Sequence, residues 1–349
     1  MKQQSRGNQP SLLLIYTGGT IGMVEDVQSK SLKPFDFGQI TDYIPELKKL
    51  NVSLTTIAFE HPIDSSDINP SIWIRLVDLI VKNYNGYDGF VILHGSDTMA
   101  YTASMLSYML ENLQKPVILT GSQLPMGIIR TDGKENIITA IEIAASKEKN
   151  KTIVPEVCIY FEYRLYRGNR THKFNAEQFQ AFKSSNYPVL AEAGVHITYN
   201  RNYIQPSTNK RLNPHLCLDT NVGVLKLFPG VTPAYVSALL TTPGLKGLVL
   251  ETFGSGNAPS QEWFLTLLGN AIRSGLIVLN VTQCNAGAVE QGKYETSIGL
   301  KKAGVISGAD ITFEAAITKL MFLLGQPLSA KEIKQQLSQS LRGEMTLPN

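Results

Sequence analysis

Leu12-Leu13-Leu14-Ile15-Tyr16-Thr17-Gly18-Gly19-Thr20 is an apolar run with β-branched and aromatic members that stops abruptly at two glycines. A short unbroken apolar run ending in a turn signal reads as a buried strand. The glycines let the backbone turn sharply and leave N–H groups facing open space, with a hydroxyl on either side. In an open parallel sheet, ligands bind in the crevice beyond the carboxyl ends of the strands. Thr20 is therefore expected where a nucleophile meets a substrate.

The same construction occurs twice more. Gly89-Phe90-Val91-Ile92-Leu93 leads into His94-Gly95-Ser96-Asp97-Thr98, and Pro116-Val117-Ile118-Leu119 leads into Thr120-Gly121-Ser122-Gln123. Three such strands, parallel and side by side, bring their glycine turns and hydroxyls to one polar pocket. Apolar segments of helical spacing stand between them, at Ile72 to Val81 before the second strand and Asn136 to Ala145 after the third. Val157 to Tyr163 reads as a fourth strand, and it leads into the polar run Tyr166 to Lys173. Strands alternating with helices predict a mainly parallel sheet covered on both faces. Asn200 to Asn209 is polar and aperiodic, as a linker is. The alternation then restarts at Val222 to Phe228, Gly247 to Glu251 and Ile277 to Val281, and Ile311 to Leu320 is helical in spacing. The expected fold is α/β with two domains. The larger, mostly parallel and flanked by helices, spans 1–205, with a linker at 206–220 and a smaller parallel α/β domain at 221–349.

Composition narrows the function classes. The chain has 349 residues, is 43% hydrophobic and carries a net charge of +3, enough for two full cores. Its cationic residues are scattered; the densest group, Lys147 to Lys151, reads as the cap of a surface helix. Without a basic stripe or interleaved aromatics, no nucleic-acid partner is expected. Cys158, Cys217 and Cys284 are far apart and lack metal or disulfide spacing. Free thiols suit a reducing compartment, and no apolar run reaches bilayer length. A cytoplasmic protein with no metal, cofactor or membrane partner is the expectation.

A threonine hydroxyl attacks nothing without a base. Of the candidates, His94 closes a strand and reads as a neutral, hydrogen-bonded ring. Asp97 stands before a helix, where it is either an N-cap or a carboxylate that holds a substrate ammonium. Lys173 is a surface lysine unless its segment folds back to the crevice, where desolvation and a neighbouring carboxylate would tune it as a base. The nucleophile elbow, the dinucleotide and phosphate loops and the metalloprotease motif are all absent.

Thr17-Gly18-Gly19-Thr20-Ile21-Gly22, His94-Gly95-Ser96-Asp97-Thr98-Met99-Ala100-Tyr101-Thr102 and Thr120-Gly121-Ser122-Gln123 resemble the signatures of the bacterial-type L-asparaginases. Arg164 to Arg170 and Gly254-Ser255-Gly256-Asn257-Ala258-Pro259 resemble the cytoplasmic type I branch. The resemblance covers nearly the whole chain. It implies hydrolysis of L-asparagine to L-aspartate and ammonia through an acyl-enzyme, by a homodimer or homotetramer. Thr20 would be the nucleophile, and Ser96, Asp97 and Lys173 would relay a proton. Asp97 would hold the substrate ammonium, and Ser65 and Ser66, beside Asp64, its carboxylate. N–H groups around Gly19 and Gly95 would stabilise the oxyanion by about 3 kcal/mol per donor.

Four positions depart from the family pattern. Ser96 replaces a threonine. Leu32 falls near the place of a lid tyrosine that follows the nucleophile. Ala288 falls near an acidic residue that secreted members lend to a neighbouring subunit. Glu251 and His172 replace the arginine and threonine of allosteric members, so a non-allosteric enzyme is implied. Glutamine hydrolysis, an amino-acid sensor without turnover, and an archaeal-type tRNA amidotransferase subunit are the competing readings. The last carries an extra domain before its nucleophile turn, whereas nineteen residues precede Thr20 here.

Overall fold

A computed structural model describes residues 9–25, 32–34, 40–292 and 295–346. Contacts divide the chain into two compact units, Met1–Ser184 with Pro188–Pro214, and Ser185–Tyr187 with His215–Asn349. Within the polar stretch between the expected domains, Asn213–Pro214 pairs antiparallel with Leu110–Glu111 in the first unit.

In the first unit, β1 (Ser11–Gly18) is followed by β2 (Ser53–Ile63), α1 (Pro70–Asn83), β3 (Gly89–Leu93) and α2 (Met99–Met109). Then come β4 (Val117–Thr120), α3 (Gly133–Ala145) and β5 (Val157–Phe161). These five strands are parallel, in the order β2-β1-β3-β4-β5. β3, β4 and β5 are buried along their whole length because both faces are covered. Helix α1 begins where Asn69 accepts a hydrogen bond from the Ser71 N–H at 3.0 Å and Pro70 supplies a preset first turn. It buries Trp73, Leu76, Val77 and Ile80, one helical stripe. Every residue of α2 except Tyr101 is buried.

The sheet continues antiparallel through β6 (Arg164–Arg167). Outside it, β7 (His172–Lys173) pairs with β8 (Phe182–Lys183). β9 (Ala191–Ala193) and β10 (Ile197–Tyr199) complete the main sheet beside β6. The fourth strand ends at Phe161, two residues earlier than its apolar pattern suggests. Glu162 (φ 45°) and Tyr163 (φ 65°) make a two-residue turn in the left-handed region that hairpins favour. The Asn136 side chain holds that turn by accepting the Glu162 N–H at 3.1 Å. Lys147 to Lys151 is likewise a hairpin, not a helix cap: Lys147–Glu148 pairs with Lys151–Thr152 around two residues of positive φ. Lys147 Nζ lies 2.7 Å from Asp88 Oδ1, an ion pair with the residue before β3.

The second unit holds β11 (Val222–Lys226), α4 (Pro233–Leu240), β12 (Gly247–Thr252), α5 (Glu262–Arg273), β13 (Ile277–Thr282), α6 (Glu295–Ala303) and β14 (Ile306–Ser307). Its four strands are all parallel and adjacent in chain order. Leu225, Leu248, Leu250, Phe264 and Leu268 lie in its core. α7 (Phe313–Leu324) starts at an N-cap, Thr312 accepting the Ala315 N–H, and α8 (Ala330–Leu337) starts at a capping box of Ser329 and Glu332. Lys319 of α7 forms a fully buried ion pair with Glu344. Among the described residues, no helix is long and apolar enough to cross a membrane.

Candidate active site

The strand order of the first unit reverses between β1 and β3: β2 lies on one side of β1, and β3, β4 and β5 lie on the other. Such a reversal opens a crevice between the two loops that leave the carboxyl ends of the diverging strands. The second sheet runs in chain order without a reversal and opens no crevice of this kind.

Glycines let those loops touch. A Cβ on Gly19 (φ +87°) would lie 2.6 Å from both Cα and N of Gly95, and one on Gly18 would lie 2.1 Å from the Ile63 carbonyl oxygen. A Cβ on Gly95 would meet Ser65 Oγ at 2.6 Å, and one on Gly121 would meet the His94 carbonyl oxygen at 2.4 Å. Backbone thus packs on backbone at Gly18, Gly19 and Gly121, and on the Ser65 side chain at Gly95, where any added side chain would force the loops apart. Thr17 Oγ1 joins β1 to β3 by donating to the Leu93 carbonyl at 2.9 Å. Thr98 Oγ1 joins the loops after β3 and β2 by donating to the Ser65 carbonyl at 2.6 Å.

Thr20 opens a short 3-10 turn, Thr20–Gly22, directly after this contact. Lys173, on β7, folds back onto the loop after β3. Its ammonium donates to Ser96 Oγ at 2.9 Å and ion-pairs with Asp97 Oδ1. The Ser96 hydroxyl donates in turn to Gln123 Oε1 at 3.1 Å. The Lys173 side chain is 17% exposed whereas that of Asp97 is 65% exposed, so the carboxylate keeps a face for a further cation. Asp97 is not the N-cap of α2; Thr98 takes that position, without a capping hydrogen bond from its side chain. Among the described residues, the Thr20 hydroxyl has no hydrogen bond to Ser96, Asp97 or Lys173.

Ser65 is buried against Gly95, whereas Ser66 is exposed. Asp64 is occupied by its neighbour: one carboxylate oxygen accepts the Ser66 N–H at 2.9 Å and the Ser66 hydroxyl at 2.8 Å. Those bonds, the backbone one first, hold its carboxyl below the usual range. Most of the stretch after the Thr20 turn, where the family's lid tyrosine would fall, lies outside the described residues, as does the Leu32 side chain. Among the described residues, no group of three His, Cys, Asp or Glu is arranged to hold a metal ion.

Three contributions escaped sequence reasoning. Gln123 stood in a quoted motif without a role; its Nε2 donates to the carbonyls of Ala176 at 3.0 Å and Gln178 at 3.1 Å, which turns Oε1 toward Ser96. Asp132 accepts the Gln123 N–H at 3.0 Å, and burial pushes its carboxyl above the usual range. Asn136 Nδ2 donates to the Gly121 carbonyl at 2.9 Å and steadies the turn after β4. His94 is buried, as a ring closing a strand should be, and burial pushes its imidazole down to about 4 despite a bond to the Gly95 carbonyl.

Family models described as "Asparaginase, N-terminal" and "Glutaminase/Asparaginase C-terminal domain" match residues 11–205 and 221–337. The chain belongs to the asparaginase family. It is 44% identical to L-asparaginase 1 of Escherichia coli (strain K12) over 337 residues, which covers 96% of this chain and 98% of that protein. It is also 41% identical to the 60 kDa lysophospholipase of Homo sapiens, covering 98% of this chain but 63% of that longer protein. Among solved structures, L-asparaginase I from Vibrio cholerae O1 biovar eltor str. N16961 superposes with a TM-score of 0.89 at 41% identity, covering 97% of this chain and all of that one. Membership in the asparaginase family agrees with the two α/β units and with the motifs that line the β1/β3 crevice.

Proposed function

We propose that this chain hydrolyses L-asparagine to L-aspartate and ammonia through a threonine ester. Thr20 Oγ attacks the side-chain amide carbon and surrenders its proton, ammonia departs with a proton delivered to its nitrogen, and water cleaves the resulting ester. Lys173, acting as the free amine, takes up the Thr20 proton through the Ser96 hydroxyl that it contacts and returns that proton by the same route to the departing nitrogen, so the step balances without another base. Asp97 holds the substrate ammonium on its open face, and Ser65 and Ser66 meet the α-carboxylate. The tetrahedral intermediate places its charge on N–H groups of the glycine turns; among the described residues, the Ser96 N–H has no partner. No cofactor is required.

The observation that carries this reading is the return of Lys173 to Ser96 and Asp97, beside a backbone contact between the Gly19 and Gly95 loops. A cytoplasmic homodimer or homotetramer, with domains at 1–205 and 221–349 joined by 206–220, completes the proposal. Ammonia release from asparagine, and separately from glutamine, tests it with the wild-type chain and Thr20→Ala. Release from asparagine that stops in the variant is the expected result; undiminished release in Thr20→Ala refutes the mechanism.

A further inference from the structure

His94 lies one residue before the crevice loop and takes no part in the proton path above. Its ring is the middle of a buried chain of hydrogen bonds that crosses three elements. Trp73 Nε1 on α1 donates to Thr102 Oγ1 on α2 at 3.0 Å. Thr102 Oγ1 lies 2.9 Å from His94 Nε2 at the end of β3, and His94 Nδ1 lies 2.7 Å from the Gly95 carbonyl oxygen. Trp73, Thr102 and His94 are 6%, 0% and 1% exposed.

The partners assign the proton. A carbonyl only accepts, so Nδ1 carries the hydrogen. Nε2 then offers a lone pair to the Thr102 hydroxyl, whose oxygen is occupied by the indole N–H. Every group in the chain is satisfied in one arrangement alone, and burial keeps the ring neutral.

The consequence lies one peptide further on. Across a planar trans peptide, the carbonyl of one residue and the N–H of the next point in opposite directions. With the Gly95 carbonyl drawn inward to the imidazole, the Ser96 N–H is turned away from the buried ring.

We propose that His94 is a positioning residue for amide hydrolysis, its Nδ1–H holding the 95–96 peptide so that the Ser96 N–H faces the oxyanion and the Ser96 hydroxyl faces Lys173. The inference rests on the reading of Ser96 given under Proposed function. His94 touches neither substrate nor reacting atoms; it acts through the peptide it anchors.

The test compares His94→Asn, which offers an amide N–H close to the place of Nδ1, with His94→Leu, which fills the space and donates nothing. Ammonia release from asparagine yields kcat and KM, and thermal unfolding reports the fold. His94→Leu should lower kcat about a hundredfold, the effect of displacing a reacting group by roughly 1 Å. KM should change little, and His94→Asn should recover most of the loss. A purely structural role would lower the melting temperature of both variants and leave kcat per folded molecule alike. Equal kcat in the two, whether retained or lost, overturns the proposal. If His94→Leu does not fold, His94→Met supplies the donor-free comparison. Undiminished turnover in Thr20→Ala is a separate result, which would remove the underlying mechanism instead.

Discussion

Acidification from neutral pH to pH 4 should withdraw about 3 kcal/mol of stability from the first unit through His94 alone. The folded ring titrates at about 4, against 6.5 for an unhindered imidazole, because burial penalises its cationic form. The folded value is the lower one, so the unfolded chain takes up the proton first. Stability from this group is complete above pH 6.5, declines as the pH falls, and levels off below about 4. Each unit of difference corresponds to about 1.4 kcal/mol, and a ring 1% exposed is not relieved by solvent. About 2 kcal/mol of the total is gone by pH 5.

The assay is urea unfolding across this pH range, followed by the fluorescence of Trp73 in a Trp263→Phe background, since the chain has two tryptophans. Wild type is compared with His94→Asn, which cannot titrate. Carboxylates that titrate in the same range are common to both proteins, so they cancel in the difference. The gap between the two curves should shrink as the pH falls. Parallel curves down to pH 4.5 would refute both the neutral ring and its cause.

Three further outcomes are expected. Gln123→Leu removes the acceptor of the Ser96 hydroxyl and the donor of two carbonyls. It should lower kcat roughly tenfold, the value of about one hydrogen bond; an unchanged kcat refutes its role. Lys319→Met leaves the buried Glu344 carboxylate without its counter-ion; burial raises its pKa, and the 2.7 Å ammonium together with the N–H groups of Leu341 and Arg342 outweighs that effect in the wild type. A loss of about 3–5 kcal/mol in the unfolding of the second unit is expected, and a change below about 1 kcal/mol would count against a buried charge pair. Dependence of rate on asparagine should be hyperbolic, as a carboxylate at Glu251, 3.8 Å from Lys226, gives an anionic effector no cationic arginine to bind. A Hill coefficient well above one would overturn that.

Local chemistry is what the sequence could express unaided. An apolar run at Leu12 to Tyr16 makes a buried strand wherever it is placed, and glycines at 18 and 19 permit a turn that few other residues allow. The same held for α1, whose Trp73, Leu76, Val77 and Ile80 mark one face at helical spacing. Those preferences come from sterics and hydration within a few residues, so they survive without knowledge of the rest of the chain. Where local preference was weak, the reading slipped: Glu162 and Tyr163 look like strand, yet an amide from Asn136, 26 positions earlier, favours the turn.

Tertiary structure alone decided what meets what. The order of β2, β1 and β3 sets where the crevice opens, and no residue encodes that order by itself. Lys173 reaches Asp97 across 76 positions, Gln123 Nε2 finds the Ala176 carbonyl across 53, and Trp73 reaches Thr102 across 29. Each such contact exists because packing of the whole sheet and its helices brings distant segments within hydrogen-bond range. Directional bonds of about 3 Å reward only that arrangement, so the candidate site residues were nameable from the sequence, while their partners belonged to the fold.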